Sequence, residues 1–374
     1  MNLFDVYSVS DVEIVKAQGA KLWDSNGKEY LDLYGGHAVI SIGHSHPYYV
    51  EKLTNQLQNI GFYSNSIKIS QQKELAEKLG KLSGYDNYQL FLCNSGAEAN
   101  ENAFKLASFH NGKSKILAFD KAFHGRTSLA VTATDNPSIV AKINQNDAVT
   151  FLPLNDKEAF DAAINEEVSC VIIEGIQGVG GIRIPETAFI QHVAKTCKEN
   201  NIVLILDEVQ SGYGRTGKFF AHQHFGIQPD IITVAKGMGN GFPIGGVLIA
   251  PHILPKKEML GTTFGGNYLA CAAGIAVLDV LEQENLIEKA ASLGDYTMKV
   301  LAQLPNIKEV RGKGLMIAVE LNEPCAAVRR QLLEEYGIFT GTSSNKNTLR
   351  ILPTLNVSQQ EIDQLIQALH NILQ

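Results

Sequence analysis

The sequence predicts an α/β protein: a mostly parallel sheet flanked by helices, followed by a smaller α+β domain at the carboxyl end. Apolar strand-like runs alternate with helical patterns through the middle of the 374-residue chain, as in βαβ units. These runs are continuously apolar, which is typical of parallel strands covered on both faces. After about residue 256 the pattern changes to a long apolar helix, short strands and a terminal amphipathic helix.

The N-terminal part and the central part are predicted from turn and strand signals. The segments 20–23 and 30–34 flank the turn Asp24-Ser25-Asn26-Gly27, which indicates a hairpin. Central strands are expected at 90–93, 115–119, 148–152, 170–174, 202–207, 231–235 and 246–250. A helix is expected at 187–200, where Phe189, Ile190, Val193 and Cys197 recur at helical spacing.

The carboxyl-terminal part is predicted to contain helix 267–283, strands 315–321 and 348–352, and a last helix. That helix opens with a capping box, Ser358 followed by Glu361. Its apolar stripe is Ile362, Leu365, Ile366, Leu369 and Leu373. We therefore expect a segment 1–45 that packs on the small domain, a large domain over 46–255 and the small domain over 256–374.

Composition excludes several classes of protein. The net charge is −7 and basic residues are interspersed with acidic ones, so no nucleic-acid partner is expected. No apolar stretch reaches the roughly 18 residues that would span a membrane, and the N-terminus lacks a signal-peptide pattern. The five cysteines are odd in number and show no CxxC spacing, which indicates buried thiols in a reducing compartment. The expected location is the cytoplasm.

A single lysine, Lys236, stands at the end of the apolar run 231–234 and precedes the glycine-rich segment 237–241. A lysine at the end of a buried strand is poorly solvated, so its neutral amine becomes accessible. A neutral amine can form a Schiff base with a carbonyl substrate or with pyridoxal phosphate. On this stretch alone the simpler interpretation is an ordinary lysine at a strand end. A second feature is needed to decide between this interpretation and a Schiff-base lysine.

The second feature is Asp207, at the end of the buried run 202–206. In open α/β sheets, ligands bind beyond the carboxyl ends of the strands, where Asp207 and Lys236 would both project. Pyridoxal chemistry requires such a pair, a lysine for the aldehyde and a carboxylate that keeps the pyridine nitrogen protonated. Contact with an opposite charge shifts a pKa by about 1–3 units, which is enough to keep that nitrogen protonated at neutral pH.

The third feature is the small-residue turn Asn94-Ser95-Gly96-Ala97, which leads from a strand-like run into a helical pattern. A Ser-Gly turn that opens a helix exposes backbone N–H groups at the positive end of the helix dipole, which suits a phosphate. Many such turns are plain helix caps, so this turn alone does not establish a phosphate site.

Taken together and in this order, the motifs resemble the class III, or ornithine-type, pyridoxal-phosphate aminotransferases from about Tyr7 to the C-terminus. The motifs are GHSHP (43–47), NSGAEAN (94–100), FHGRT (123–127), EGIQG (174–178), LDEVQSG (206–212), AKG (235–237), TTFGGN (262–267) and LRILP (349–353). The resemblance implies a fold-type I pyridoxal-phosphate transferase that moves the δ-amino group of an N-acylated ornithine, N-acetylornithine first, to 2-oxoglutarate in arginine biosynthesis. N-succinylornithine, ornithine and 4-aminobutyrate remain alternative donors, and an aminomutase reaction remains open.

The same resemblance assigns the cofactor contacts. Lys236 would bind the cofactor covalently and act as base and acid, while Asp207 would pair with the pyridine nitrogen. The remaining contacts would come from Ser95, Gly96 and Ala97 at the phosphate, Phe123 and Val209 on the two ring faces, and Gln210 at the ring hydroxyl. Thr263 would bind the phosphate of the neighbouring subunit, which implies a homodimer.

The resemblance also assigns the substrate contacts. Arg126 would bind the carboxylate of the amino donor, and Arg350 the α-carboxylate of glutamate or 2-oxoglutarate. Glu174 would pair with Arg350 while the other substrate is bound, and so would switch between the half-reactions. Read without the resemblance, Arg126 could equally be a surface arginine.

The sequence departs from the commonest family pattern at three positions. Gly175 and Tyr268 stand where proline is usual, and Val179 stands where glutamate is frequent. The departures leave the cofactor set intact, but those at 175 and 179 are expected near the substrate pocket and bear on the choice of substrate.

Other interpretations of the motifs are less favoured. The pairs His44/His46 and His222/His224 have metal-like spacing but no further ligand cluster, so no metal site is expected. His124 is either a structural loop histidine or a partner of the site.

The glycine-rich segments 178–181 and 237–241 lack the helix and acidic strand end of a dinucleotide site, which argues against a nicotinamide dehydrogenase. A non-catalytic relative of the same fold is disfavoured because both Asp207 and Lys236 are present.

Overall fold

Strands and helices alternate along the chain in the computed structural model, which describes residues 1–374. The strands are β1 (Ile14–Gln18), β2 (Lys21–Asp24), β3 (Glu29–Asp32), β4 (Gln89–Cys93), β5 (Lys115–Phe119), β6 (Val149–Leu152), β7 (Val168–Glu174), β8 (Val203–Asp207), β9 (Ile231–Val234), β10 (Gly245–Ile249), β11 (Ile307–Lys313), β12 (Met316–Leu321), β13 (Ile338–Phe339) and β14 (Thr348–Ile351). The helices are the short turn α1 (Gly35–Ala38), α2 (Pro47–Asn59), α3 (Ser70–Ser83), α4 (Gly96–Asn111), α5 (Ser128–Thr132), α6 (Lys157–Ala163), α7 (Thr187–Glu199), α8 (Tyr268–Gln283), α9 (Leu286–Leu301), α10 (Ala326–Glu334) and α11 (Gln359–Leu373). Short 3₁₀ helices lie at Pro137–Ile139, Lys142–Asn144, Ala221–Phe225 and Lys236–Met238.

The central sheet has seven strands in the order β4-β10-β9-β8-β7-β5-β6. The pairings among β5 to β9 are parallel, and only β10 runs antiparallel to its neighbours β4 and β9. The mostly parallel sheet is therefore confirmed, with one reversed strand at the predicted position 246–250. Every residue of β7, β8 and β9 is buried, as continuous apolar runs in a covered parallel sheet require.

Helices cover both faces of this sheet, as predicted. Alternate residues of β8 belong to different hydrophobic clusters because successive side chains of a strand point to opposite faces. Ile205 packs in the cluster that contains Phe104 of α4. Leu204 and Leu206 pack in the cluster that contains Phe189 of α7. The carboxyl ends of β7 to β9 therefore open at one edge of a layer that is closed on both sides.

The carboxyl-terminal sheet has three antiparallel strands in the order β11-β12-β14. Helix α11 begins with the predicted capping box, in which Ser358 Oγ accepts the Glu361 N–H at 3.3 Å and Glu361 Oε2 accepts the Ser358 N–H at 2.8 Å. Its stripe of Ile362, Leu365 and Leu369 is buried. The predicted smaller α+β part of the fold is present, and β14 places Arg350 inside it.

The N-terminal hairpin forms as predicted, with β2 antiparallel to β3. Strand β3 also pairs in parallel with β13, which joins the N-terminal segment to the carboxyl-terminal part of the chain. Helix α8 packs against α2 and α3, and its residues share one large core with those of α11. The division at residues 45 and 255 stays a prediction. None of the helices has both the length and the apolar character that crossing a membrane demands.

Candidate active site

Three neighbouring parallel strands end side by side and bring the predicted acids and the lysine together. Glu174 ends β7 in register with Asp207 at the end of β8, and Asp207 is in register with Thr233 of β9. Lys236 is the second residue after β9 and has a φ of 45°. A residue other than glycine at positive φ is strained, and such strain concentrates at functional sites.

These strand ends open into a cavity of about 410 Å³. All of the predicted site residues line it except Arg350 and Thr263. Arg350 contacts the cavity wall indirectly, through Gln210. Thr263 is exposed outside the cavity of its own chain, so its predicted role at a neighbouring subunit stays a prediction.

A buried hydrogen-bond network fixes the orientation of Asp207. Its Oδ2 accepts Asn100 Nδ2 at 2.9 Å and lies 2.7 Å from His124 Nδ1, and its Oδ1 accepts the Val209 N–H at 3.0 Å. Asn100 is held in turn, because its Oδ1 accepts the Thr233 hydroxyl at 2.7 Å. His124 is therefore a partner of Asp207, which resolves the two interpretations of this histidine.

Burial shifts the pKa of the two groups next to Asp207, Lys236 and Glu174. It lowers the pKa of the Lys236 amine, against the attraction of Asp207 and Glu174, and Arg350 lowers it further. Burial also raises the pKa of the Glu174 carboxyl to about 7. Burial thus favours the neutral amine of Lys236 and the protonated carboxyl of Glu174. A group that acts as base and acid in turn needs access to both protonation states, and the lowered pKa of Lys236 favours this.

The start of α4 forms the predicted seat for a phosphate. Ser95 is the N-cap, and its Oγ accepts the Glu98 N–H at 3.2 Å. The first N–H groups of a helix have no partner within the helix, so they can bind an anion. A Cβ on Gly96 would lie 2.7 Å from Val209 Cγ1, so only glycine allows the helix start to approach Val209. An anion seat, a fixed carboxylate and an amine of lowered pKa in one cavity fit pyridoxal phosphate.

The two predicted substrate arginines differ in their surroundings. Arg126 is exposed at the cavity and makes no hydrogen bond or ion pair within the chain. Arg350 is only 3% exposed, and no carboxylate lies within 4.0 Å of it. The expected ion pair with Glu174 is therefore not formed. The Glu174 oxygens instead accept the N–H groups of Phe123 at 3.1 Å and Gly178 at 2.8 Å.

The three departures from the family pattern have different settings. Val179 lies in the cavity wall. Gly175 does not; a Cβ there would lie 2.9 Å from Glu208 Oε1, so this position serves the packing behind the cavity. Tyr268 is the first residue of α8, a position where proline is common because its N–H would be unpaired. Only the departure at 179 therefore alters the wall of the cavity.

The histidines of the two H-x-H pairs have partners within the protein. His44 and His46 lie 2.8 Å from Asp32 and 2.9 Å from Glu284, His222 lies 2.7 Å from Glu208, and His224 lies 3.0 Å from the Thr216 carbonyl. No group of three or more histidine, cysteine, aspartate or glutamate side chains is arranged to hold a metal ion.

The structure adds residues that the sequence did not indicate. Asn100 sits one turn into α4, and its position in the motif that starts at Asn94 was the available signal. Tyr34 and His37 contact the Arg350 side of the site. No local pattern marks these two residues, because the contact joins Tyr34 to a residue 316 positions away.

Comparison with known proteins places the chain in a family. Residues 6–373 match the model for aminotransferase class-III. The chain is 41% identical to the acetylornithine aminotransferase of Bacillus subtilis, over 98% of this chain and 96% of that one. It is 39% identical to that of Methanothermobacter thermautotrophicus, over 99% and 96%.

Solved structures agree with this placement. The acetylornithine aminotransferase of Elizabethkingia anophelis matches with a TM-score of 0.85 and 30% identity, over 98% of this chain and 95% of that one. The ornithine aminotransferase of Toxoplasma gondii, which has pyridoxal phosphate at partial occupancy in its active site, matches with a TM-score of 0.91 and 28% identity, over 98% and 92%. The chain therefore belongs to the class-III aminotransferases, and its cofactor is pyridoxal phosphate.

Proposed function

We propose that the protein transfers the δ-amino group of N-acetylornithine to 2-oxoglutarate, a step of arginine biosynthesis. The main support is a single cavity in which Lys236 and Asp207 lie at neighbouring strand ends, beside an anion seat and the unpaired Arg126. The similarity to acetylornithine aminotransferases over nearly the full length of both chains supports this donor.

The residues of the cavity would contact each part of the cofactor. When bound, pyridoxal phosphate supplies an aldehyde for the substrate amine and a ring that accepts electrons from the bond broken at the amine-bearing carbon. We propose that Asp207 holds a proton on the ring nitrogen and that Lys236 binds the aldehyde. The other contacts would come from Ser95, Gly96 and Ala97 at the phosphate, Phe123 and Val209 at the ring faces, and Gln210 at the ring edge.

The side chains around the cofactor have separate tasks. Lys236 Nζ, which burial keeps in reach of its neutral form, takes the proton from the amine-bearing carbon of the substrate and later returns a proton. Arg126, exposed at the cavity, binds the carboxylate of the donor, and Arg350 binds the α-carboxylate of 2-oxoglutarate. Arginine suits both tasks because its fork of N–H groups matches a carboxylate. Glu174 stays a candidate for the switch between the two substrates, acting near Lys236.

N-succinylornithine is the second candidate donor, and Val179 is the observation that favours it. This valine lines the cavity where glutamate is frequent in the family. Without that negative charge, the wall would not repel the additional carboxylate of a succinyl group. Ornithine and 4-aminobutyrate have no acyl group and are the remaining alternatives.

A comparison of donors tests the proposal. Purified enzyme with 2-oxoglutarate would receive N-acetylornithine, N-succinylornithine, ornithine or 4-aminobutyrate, and glutamate formation would give kcat/KM for each. We expect N-acetylornithine to give the highest value. A higher value for N-succinylornithine would select the second candidate, and a higher value for ornithine or 4-aminobutyrate would reject both acylated donors.

We further propose a cytoplasmic homodimer in which Thr263 reaches the phosphate seat of the partner. Thr263 is exposed outside its own cavity, and the neighbouring Phe264 is 59% exposed. The Phe264 ring packs on the exposed Phe62 ring at a centroid distance of 5.2 Å, which forms an apolar surface suited to a second copy. The buried, unpaired cysteines support a reducing compartment.

A further inference from the structure

Arg350 has only neutral partners. Its Nη1 donates to Gln210 Oε1 at 3.1 Å, its Nη2 donates to the Tyr34 hydroxyl at 3.1 Å, and its Nε donates to the Thr342 carbonyl. The centre of its guanidinium lies 5.7 Å from the centroid of the Tyr34 ring. A buried charge needs partners, and here an amide, a phenol and a backbone carbonyl provide them without a carboxylate.

The direction of the hydrogen bonds at Tyr34 follows from the groups involved. The Tyr34 hydroxyl lies 2.6 Å from His37 Nδ1. Arginine can only donate, so the hydroxyl accepts from Arg350 and has its own proton free for another acceptor. That acceptor is His37 Nδ1, which must then be unprotonated. His37 therefore orients the hydroxyl so that its lone pairs face Arg350.

The backbone turn that presents Tyr34 and His37 is unusual. Gly35, Gly36, His37 and Ala38 all have positive φ, of 55°, 55°, 66° and 63°. Positive φ is unfavourable at His37 and Ala38 because their side chains crowd the backbone. The turn is fixed at both ends, since Asp32 Oδ1 accepts the Gly35 N–H at 2.8 Å and Gln210 Nε2 donates to the His37 carbonyl at 3.2 Å. Tyr34, His37 and Gln210 thus form one unit around the Arg350 guanidinium.

The two substrates of the proposed function place different demands on Arg350. A 2-oxoglutarate molecule has a carboxylate next to the reacting carbon, whereas an acylornithine reacting at its δ-carbon has none there. A carboxylate forms stronger hydrogen bonds with arginine than a neutral hydroxyl does. The substrate carboxylate can therefore displace the Tyr34 hydroxyl from Arg350. When the substrate has no carboxylate there, the hydroxyl remains as the hydrogen-bond partner of Arg350.

We propose that Tyr34 is a specificity-determining residue whose hydroxyl, oriented by His37, occupies Arg350 during the acylornithine half-reaction and yields it to the carboxylate of glutamate or 2-oxoglutarate. The inference rests on the proposed function, because it assumes one substrate with and one without a carboxylate at the reacting carbon. In the structure the neutral phenol of Tyr34 holds the place at Arg350 that an ion pair with Glu174 was expected to hold, and Glu174 itself contacts the N–H groups of Phe123 and Gly178.

The first test uses Tyr34→Phe holoenzyme, which keeps the ring and removes the hydroxyl. Single-turnover absorbance would follow the half-reaction with N-acetylornithine and, separately, with glutamate. We expect the acylornithine half to lose about tenfold in kcat/KM, in line with one hydrogen bond to a charged group. The glutamate half should keep its rate within about twofold. Tyr336→Phe is the matched control, since Tyr336 is 39% exposed and lies outside the cavity.

The second test needs no turnover. Glutarate has the two carboxylates of 2-oxoglutarate but no keto group, and calorimetry would measure its binding to the holoenzyme. If Tyr34 competes for Arg350, Tyr34→Phe should bind glutarate about threefold or more tightly than the wild type and the Tyr336→Phe control. General damage to the site would weaken glutarate binding instead, so the sign of the change separates the two explanations.

Unchanged or weaker glutarate binding in Tyr34→Phe would overturn the inference, as would an equal loss in both half-reactions. If Glu174→Gln slows the two half-reactions by different factors and Tyr34→Phe does not, Glu174 rather than Tyr34 distinguishes the two substrates. If the wild type does not react with acylornithines, the proposed function fails, but the glutarate measurement still decides the role of Tyr34.

Discussion

Single residues in the cavity owe their chemistry to burial at the strand ends. Lys236 and Glu174 lie on either side of Asp207, and in each the charged form is disfavoured by removal from water. The hydrogen bonds from Asn100 and His124 fix the Asp207 carboxylate. The site therefore combines one carboxylate of fixed orientation with an amine of lowered pKa and a carboxyl of raised pKa.

The raised pKa of Glu174 predicts how stability depends on pH. The pKa is about 7 in the folded protein against an ordinary value of 4.5, so between these values the folded state binds more protons than the unfolded state. The contribution of the protonated Glu174 carboxyl to the free energy of unfolding is complete below pH 4.5 and is lost as the pH rises to about 7. The loss is on the order of 3 kcal/mol at most.

The measurement is the Tm of the apoenzyme at pH 5 and pH 8, for the wild type and Glu174→Gln. We expect the wild type to lose more thermal stability than Glu174→Gln over this interval, by a few degrees, because glutamine does not titrate. Equal losses in the two proteins would show that Glu174 ionises normally in the fold.

The residues of the site differ in how far the sequence could predict them. Lys236 and Asp207 follow buried apolar runs, and the rule that ligands bind at the carboxyl ends of strands brings them together. Tyr34 cannot be found this way, because it lies between β3 and α1 while its partner Arg350 lies on β14, 316 positions away. The resemblance to the family also suggested a Glu174–Arg350 ion pair that the structure does not contain.

Among the elements, helix α4 begins in the wall of the cavity. Its first residue, Gly96, approaches Val209 so closely that a Cβ would lie 2.7 Å from Val209 Cγ1. The sequence predicted the turn at this helix start but not the contact, since the contact depends on the packing of α4 over β8.

Replacement of Gly96 by alanine tests the role of this helix start. Gly96→Ala should push Val209 from its place and weaken cofactor binding about tenfold or more, since overpacking costs about 1–3 kcal/mol. Fluorescence titration of the apoenzyme with pyridoxal phosphate would measure the change. Gly261→Ala is the control, because a Cβ there meets no atom within 4 Å. Equal affinity for pyridoxal phosphate in Gly96→Ala and the control would show that the start of α4 does not contribute to cofactor binding.

Most strands were predictable, and the exceptions have physical reasons. β5 matches its predicted range and β7 to β9 lie close to theirs, because fully buried strands give continuous apolar runs. β11 was not predicted, since none of its residues is fully buried and its sequence is mostly polar. The reversed direction of β10 depends on which strands it pairs with, and periodicity contains no information on direction.

The whole molecule presents an apolar surface formed by Phe62 and Phe264 next to Thr263. The proposed homodimer would cover this surface and bring Thr263 to the cavity of the partner. Periodicity could not predict this surface, because a residue buried only by a second copy resembles any exposed residue in its own chain. The division of the chain at residues 45 and 255 likewise stays a prediction, because one core joins α8 to the C-terminal helix.

A charge in this surface tests the assembly. Phe264→Asp should convert the dimer to monomers at micromolar concentration and reduce cofactor retention, because each site would lose the partner's Thr263. Phe109→Asp is the control, since Phe109 has the same exposure of 59% but lies at the end of α4. Light scattering coupled to gel filtration measures the mass. A wild-type monomer, or an intact Phe264→Asp dimer with normal cofactor content, would contradict the proposal.

The most direct test of the active site is the covalent position of the cofactor. Holoenzyme would be reduced with borohydride, digested and analysed by peptide mass spectrometry, with Lys236→Ala treated in parallel. We predict a single modified lysine, Lys236, and no modified peptide from Lys236→Ala. A cofactor attached to another lysine of the wild type, or attachment that persists in Lys236→Ala, would contradict the assignment of the Lys236–Asp207 pair as the catalytic centre.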